Sequence, residues 1–555
     1  MLKKPLTWFG FTLLCAGLIG CSNEPEANVP TAEETEEKTN EEGKFDPAVP
    51  ITTVRTINTN DVKFKDGEDI NNNVHTEWAR EELGVDFEYL WTVNEDDAYD
   101  NRIRLSLSSG EEIPDVFQVS DSNLINDLIK SGEVMPIDEA IEQHASPRLK
   151  EIFEEYSEAF YRGTVDGERY GLPRFSGGNG SDPLLWIRQD WLDNVGLEIP
   201  ETMDELDEVL EAFTTEDPDG DGEDNTFGLS MASANGLNTW QADGSWVFGA
   251  YGDYVPGNWS ESEDGSLKYG SVQPNIKDGL TKLNEWYENG YLDSEVTILD
   301  ETQAAEGFVA GRSGVIAVPP WGYNFPANDT MENNEGAEVV PIPLPEGPDG
   351  DIGRRGEQLL TGVFLFNKDF EHMDAFFKYW DETYGALLGD SEYFEDGLFE
   401  GYDYVMEEGE PVYGDDNVPG GVIDPGRYFL TGAIPTYPYQ EYEKASEFYN
   451  EEREPENGYE RLLQARGENY LEAADILNQQ NEHRVENRFD GPPTDTMEKR
   501  WDQLETRELE VVAKIINGTL PVDAFDEFVE EWNEGGGEAI TEEVNEWYSG
   551  VQEAE

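Results

Sequence analysis

Val85-Asp86-Phe87-Glu88-Tyr89-Leu90-Trp91 places a large apolar side chain at every odd position. That period marks a half-buried strand, because successive side chains leave a strand on opposite faces. Upstream, a helix expected near 71–83 separates it from Ile51-Thr52-Thr53-Val54-Arg55, a β-branched run that reads as a first strand. Downstream, 101–109 reads as a helix. The turn Gly110-Glu111-Glu112-Ile113-Pro114-Asp115 then feeds a third strand at Val116-Phe117. Strand, helix, strand, helix, strand is an α/β lobe.

A second unit starts near Pro183 with the apolar strand Leu184-Leu185-Trp186-Ile187. Thr202-Met203-Asp204-Glu205 is a capping box, in which two otherwise unbonded amides are satisfied reciprocally. It opens a helix whose buried face is Met203, Leu206, Leu210 and Phe213. A later helix carries Ile276, Leu280, Leu283 and Tyr287 on one face, with Gly290 where a C-cap belongs. Another carries Phe525, Phe528, Val529 and Trp532. These stripes are expected to be core. No fixed-period repeat is present, which excludes a solenoid or propeller.

The first 20 residues have the layout of an export signal. Lys3 and Lys4 precede an apolar run from Leu6 to Leu18, too short for a comfortable membrane span, and Leu18-Ile19-Gly20-Cys21 follows. This resembles the lipobox of bacterial lipoproteins, with cleavage before Cys21 and lipid on its thiol. The chain has two cysteines. Cys15 leaves with the signal, so no disulfide framework is expected. Residues 21–45 then form a tether: Glu33-Glu34-Thr35-Glu36-Glu37 and its neighbours offer no large apolar residue to offset chain entropy. The roughly 510 residues that remain exceed one core of ordinary size and imply at least two lobes. No second apolar run approaches the ~18 residues of a membrane span.

The chain carries 123 acidic against 36 basic residues, a formal net charge of −87. Nucleic acid is excluded as a partner, because its binding needs a basic surface. The acids are interspersed with apolar positions and read as a solvated surface, suited to high salt or to an alkaline exterior.

Several segments, in their shared order, resemble the extracellular solute-binding proteins of ABC sugar importers. The nearest in character are the large lipoprotein members that include oligosaccharide- and alginate-binding proteins. The segments are Gly110–Val116; Asp166-Gly167-Glu168-Arg169-Tyr170-Gly171-Leu172-Pro173; Trp186–Leu197; Pro200-Glu201-Thr202; Trp286-Tyr287-Glu288-Asn289-Gly290-Tyr291-Leu292; Gly311-Arg312-Ser313-Gly314; and Ile515-Ile516-Asn517-Gly518. The resemblance implies a two-lobe α/β fold of the periplasmic-binding-protein type, with ligand in the cleft between lobes and closure on binding. By analogy one lobe comprises 46–182 plus 364–420 and the other 183–363 plus 421–555. It implies a monomer held at the outer face of the cell membrane by its lipid. Such a protein captures an oligosaccharide for the importer's membrane subunits and is not an enzyme. Two alternatives stay open at this point: a secreted carbohydrate-active enzyme and a peptide-binding importer subunit.

Two features bear on chemistry. Asp217-Pro218-Asp219-Gly220-Asp221-Gly222-Glu223-Asp224-Asn225 has oxygen side chains at positions 1, 3 and 5, a backbone carbonyl from Glu223 at 7 and Asn225 at 9. That spacing wraps a hard divalent cation. It departs from an EF-hand at position 12, which is Gly228 rather than a bidentate Glu; Asp224 or Thr226 are the candidates to stand in. Related sugar-binding proteins carry a similar loop after the same helix, so the resemblance implies structural calcium. The second feature is aromatic: 14 Trp and 25 Tyr. Indole faces stack on the apolar faces of sugar rings, and amides, carboxylates and guanidinia bond the hydroxyls. Trp321, after Val318-Pro319-Pro320, resembles the position of a stacking tryptophan in maltose-binding protein. Trp240 and Trp246 lie in a polar loop that reads as the other wall. Gln118 and Asp121 resemble the first lobe's polar contribution. Arg188 is a further ligand candidate, or else one half of a structural pair with Asp190. No HExxH, nucleophile elbow, P-loop or CxxC motif occurs.

Overall fold

The computed structural model describes residues 38–552 apart from 40–42, 59–61, 66, 112, 166, 357, 390, 392, 415–416 and 452. The expected signal, Cys21 and most of the tether lie outside the described residues. Nine strands carry the architecture. In chain order they are β1 (Val49–Thr56), β2 (Val85–Val93), β3 (Val116–Val119), β4 (Leu172–Phe175), β5 (Leu184–Arg188), β6 (Phe227–Ser230), β7 (Ser313–Val318), β8 (Val339–Ile342) and β9 (Leu360–Phe366).

In the first lobe β1 and β2 pair in parallel, and β9 runs antiparallel between β3 and β4. Asp115, at the end of the Gly110–Asp115 turn, links the two sheets. Its carboxylate accepts from the Thr52 amide and hydroxyl at 2.8 and 2.7 Å, and its own amide donates to Thr52 Oγ1 at 3.0 Å. Val85, Phe87 and Tyr89 are buried, as their alternation requires; Trp91 is only half-buried, near the strand's end. The first helix spans Val74–Leu83 and is capped by Asn73. The second runs Asp96–Ser109, five residues longer at its start than expected.

The second lobe has the sheet order β6-β7-β5-β8, with β6 and β7 parallel and β5 antiparallel to both its neighbours. Every residue of β5 and β7 is buried, so both faces of this sheet are covered. Leu185, Ile187, Val315 and Ala317 face the core that receives Leu206, Leu280, Phe528 and Trp532. Leu184, Trp186, Ile316 and Val318 face the other way, toward the helices Gln440–Glu451 and Glu468–Gln479. The Thr202 capping box forms, with Glu205 returning to the Thr202 amide at 3.2 Å.

The first lobe's core draws on Phe45 to Phe175, Leu360 to Tyr402 and Tyr428 to Leu430. Leu360, Val363 and Tyr428–Leu430 therefore pack with the first lobe, although the sequence places the segment edges at 363/364 and 420/421. For the first two the reason is that β9 is a single strand whose first residues already pair with β4; Phe429 and Leu430 are held by Arg55 and Gln118.

Three segments cross between the lobes side by side. Ser176 N donates to Leu359 O at 2.7 Å, and Tyr439 N to Gly177 O at 2.7 Å. Gly178 sits at φ +73°, and a Cβ there would meet Pro438 at 2.7 Å, so only glycine fits where these segments touch. At their centre Asp182, fully buried, accepts from Arg484 Nε at 2.5 Å and Arg354 Nε at 3.3 Å. The remaining donors are also used. Arg484 reaches Gly178 O and Tyr439 Oη, and Arg354 reaches Gln480 O.

Removing one partner of a buried charge cluster leaves the others uncompensated. Asp182→Ala is expected to cost about 3–5 kcal/mol of stability, read as a lower urea midpoint at unchanged slope. A wild-type midpoint would mean that solvent reaches both guanidinia.

Candidate ligand-binding cleft

Near the carboxyl ends of β1 and β3, Arg55 and Gln118 reach Phe429 O and Leu430 O, and β7 leads to Trp321, which reaches Gly180 O. Ligands of open α/β sheets bind outside the carboxyl ends of their strands. On the first-lobe side a cavity of about 310 Å³ is lined by Arg55, Asp96, Tyr99, Gln118, Arg174 and Thr431, among others. Arg55 ends the inner part of β1, and Gln118 lies on β3. A second cavity of about 340 Å³ shares Arg174 and Thr431 and continues along Ser176, Gly180 and Thr361. Gly180 O accepts from Trp321 Nε1 at 3.1 Å, which brings the second lobe's tryptophan to the edge of the same channel.

Trp321 stacks on Trp240, with centroids 5.7 Å apart and planes at 30°. Trp240 is 46% exposed, so the pair presents an open indole face. Its Nε1 donates to Glu301 Oε1 at 2.9 Å. The loop that carries Trp240 is built around buried Asp243, which accepts from Thr239 N at 3.0 Å and Ser245 N at 2.8 Å. Arg355, on a crossing segment, pairs with Asp243 at 2.8 Å and donates to Thr239 O at 2.6 Å. One buried ion pair thus fixes the aromatic wall to the lobe junction.

Gln118 lines the first-lobe cavity, with Nε2 donating to Leu430 O at 3.2 Å and Oε1 accepting from Arg174 Nη1. Three other sequence-named residues are corrected. Trp246 is 1% exposed, packs on Trp286 at 6.1 Å and donates to Asp243 O at 3.0 Å; it is core, because the Asp243 turn folds it inward. Asp121 caps the helix Ser122–Ser131, accepting from Leu124 N at 2.6 Å, and pairs with Arg104 at 2.6 Å. Its carboxylate is committed to that helix start. Arg188 is buried at the end of β5 away from the cleft. It forks onto Asp190 at 2.8 and 2.7 Å and lies over Trp191 at 4.7 Å, a structural pair.

Sequence reasoning missed Arg55, Tyr99 and Thr361. Position is the signal that could have found the first: a buried arginine at the carboxyl end of a strand in an α/β lobe. Burial lowers the Arg55 pKa. Burial, and then the neighbouring Arg55, bring Arg174 down to about 10.

The acidic loop follows the helix Met203–Thr215. Carboxylate oxygens of Asp217, Asp219 and Asp221 lie within 4.8 Å of one another, all exposed. The Gly222 amide donates to Asp217 at 3.2 Å and the Glu223 amide to Asp221 at 2.7 Å. Asn225 Nδ2 donates to Asp221 Oδ2 at 3.0 Å. A convergent set of hard oxygens suits a divalent cation such as calcium. Position 12 is glycine for a packing reason: a Cβ on Gly228 would meet Leu210 at 2.7 Å. The Thr226 hydroxyl donates to Phe213 O at 2.9 Å.

Two lobes, three crossings and a cleft at the strand ends define the class: a two-lobe periplasmic-binding-protein-like fold. The same fold is seen in the alginate-binding protein AlgQ2, at 18% identity and TM-score 0.59, covering 91% of this chain and 98% of that one. It is also seen in FusA of Streptococcus pneumoniae, solved with kestose and, as an EF-hand mutant, with fructo-nystose. Both forms give 19% identity and TM-score 0.61 over 91% of this chain and 100% of that one. The family model for bacterial extracellular solute-binding proteins matches residues 63–367, and the chain belongs to that family. Among curated relatives, the polygalacturonan/rhamnogalacturonan-binding protein YtcQ of Bacillus subtilis (strain 168) is 26% identical over 465 residues, 80% of this chain and 82% of its own length. FusA is 31% identical over 289 residues, 48% of this chain and 49% of its own length.

Proposed function

We propose that this protein is the substrate-binding subunit of an ABC importer and captures an oligosaccharide in the cleft, delivering it unaltered to the importer's membrane subunits. The observation that carries the reading is the Trp321–Trp240 platform beside a cavity whose lining mixes Trp380, Tyr384 and Ile434 with Arg174, Ser176, Thr361 and Thr431. A flat apolar face next to hydroxyl and amide groups is what a pyranose or furanose ring requires. The names of YtcQ and FusA, both saccharide binders, support it. Closure of the lobes about the crossing segments completes the site.

Trp321→Ala is expected to weaken saccharide binding about ten- to a hundred-fold, the loss of about 1–3 kcal/mol from a stacked anchor. The measurement is calorimetric titration paired with a thermal melt. A large fall in melting temperature at unchanged affinity would place Trp321 in the core and overturn the assignment. Stabilisation by peptides and not by sugars in a thermal-shift array would overturn the saccharide reading itself.

The Asp217, Asp219 and Asp221 carboxylates, with Glu223 O and Asn225, would hold a calcium ion. When bound, the ion supplies charge compensation that pins the loop after the helix Met203–Thr215. Its distance in sequence from Trp321 and the arginines fits a structural role. Chelation is expected to lower the melting temperature, and the Asp219→Ala, Asp221→Ala double variant to start at the lowered value and ignore the chelator. Equal melting curves with and without chelator would remove the ion from the account.

Cys21 would carry the lipid that holds the protein at the outer face of the cell membrane. Among the described residues no helix is long and apolar enough to cross a membrane. Cys21→Ala is expected to shift the protein from the membrane fraction to the medium, and an unchanged distribution would refute the anchor.

A further inference from the structure

A second set of contacts joins the lobes outside the cleft. Tyr161 and Arg162 lie in the short helical turn Ser157–Gly163, whose Ala159 and Phe160 belong to the first lobe's core. Arg162 Nε donates to Asp490 Oδ1 at 2.8 Å, and its Nη2 reaches the same carboxylate. The two side chains are 9% and 16% exposed. Glu158 and Arg488 repeat the pairing with the signs exchanged, at 3.8 Å. Tyr161 meets Trp547 edge-on, with centroids 6.1 Å apart and planes at 85°. Arg488, Asp490 and Trp547 sit on the second lobe: Arg488 N donates to Trp259 O at 2.8 Å, and Phe489 and Trp547 pack against that lobe's core. A cavity of about 300 Å³ remains between the partners, lined by Glu158, Tyr161, Leu359, Tyr439, Arg488 and Tyr548, among others.

Strand register places these contacts on the far side of the crossing segments from the cleft. β9 pairs Phe364 with Gln118 and Leu172, and Val363 with Val119 and Pro173. Alternate side chains leave a sheet on opposite faces. Gln118, Arg174 and Phe364 share the face that carries the cleft cavities and Trp380. Val363, Pro173 and Phe175 share the other face, where Tyr156 packs on Phe175 at 5.9 Å and the Ser157–Gly163 turn follows. The crossing segments run out of β4 and into β9, so they separate the two sets.

Rotation about the crossing segments that narrows the cleft therefore widens the gap behind them. The two ion pairs and the Tyr161–Trp547 contact lengthen or break as the cleft closes. Closure is disfavoured by whatever these contacts contribute, and a ligand that binds the closed form must overcome that difference. The contribution of Arg162 and Asp490 exceeds that of an exposed pair, because both are largely out of water. Burial raises the Asp490 pKa, and Arg162 opposes the rise. An Arg162 left without its partner in this setting gains by moving into solvent, which lobe rotation allows.

We propose that these contacts form a latch at the back of the hinge, which holds the lobes apart and sets ligand affinity from residues that no ligand touches. The proposal rests on cleft closure as read above, and on no particular ligand.

The test uses the full-length protein with Asp490→Asn and with Tyr161→Ala, one change on each lobe, so that a folding failure of one variant leaves the other. Small-angle X-ray scattering reads the lobe arrangement without ligand, and calorimetric titration with kestose, maltotriose and trigalacturonate reads affinity. Both variants are expected to show a smaller radius of gyration than wild type. Any of the three sugars that binds wild type is expected to bind the variants about three- to tenfold more tightly, because less of the protein is held in the open form. A larger radius or a weaker affinity would mean that the contacts hold the lobes closed, and overturns the latch. An unchanged radius with no gain in affinity also overturns it, and leaves the saccharide reading intact wherever a sugar binds. A smaller radius with none of the three sugars bound sustains the latch and counts against the saccharide reading alone.

Discussion

Asp182 is the residue on which the two-lobe arrangement turns. Its carboxylate is fully buried and is shared by Arg354 and Arg484, and each of the three comes from a different stretch of chain. Charges taken out of water are tolerated only when paired and fully hydrogen-bonded. Here the residual donors end on Gly178 O, Tyr439 Oη and Gln480 O. The cluster therefore fixes where the crossing segments lie relative to one another. Those segments in turn set how the strand ends of one sheet face those of the other.

From that junction the cleft's furniture is placed by short chains of contact. Arg355 follows Arg354 directly and holds Asp243, and Asp243 shapes the loop that presents Trp240. Gly180, two residues before Asp182, receives Trp321. On the other side, Leu360 and Thr361 are the first residues of β9, and Thr361 holds Arg174. The aromatic platform, through Gly180, and the arginine-lined cavity, through Thr361, are thus both tied to segments that meet at one buried ion cluster. Arg162 adds a further tie, pairing across the junction with half-buried Asp490 and donating to Gln358 Oε1 at 3.1 Å.

The same buried polarity explains which site residues were legible in the sequence. Trp321 and Trp240 were recognisable as aromatics in polar or strand-end settings. Trp246 looked no different in composition, yet the Asp243 turn directs it onto Trp286. Asp121 has the right position after a strand, but a helix starts at the next residue and claims its carboxylate as a cap. Arg188 faces Asp190 two residues on, a pairing the sequence permitted and packing enforced. The acidic loop was the most readable element, since its donors are consecutive, while its missing twelfth ligand is explained only by Leu210 standing against Gly228.

The sequence by itself determined what depends on neighbours along the chain. That includes the alternation of Val85, Phe87 and Tyr89, the Thr202 capping box, the helical stripes, the Asp217–Asn225 loop and the exclusion of nucleic acid by charge. These rest on periods of two or 3.6 residues and on bonds spanning three or four positions, all visible in a one-dimensional string. Only the tertiary structure decided what depends on residues far apart: Asp182 with Arg354 and Arg484, Trp240 with Trp321, and Arg55 with Arg174 and Gln118. A buried charge or an indole face takes its meaning from the groups that desolvate it. Those groups are brought together by the lobe cores and the crossing segments, not by their order in the chain.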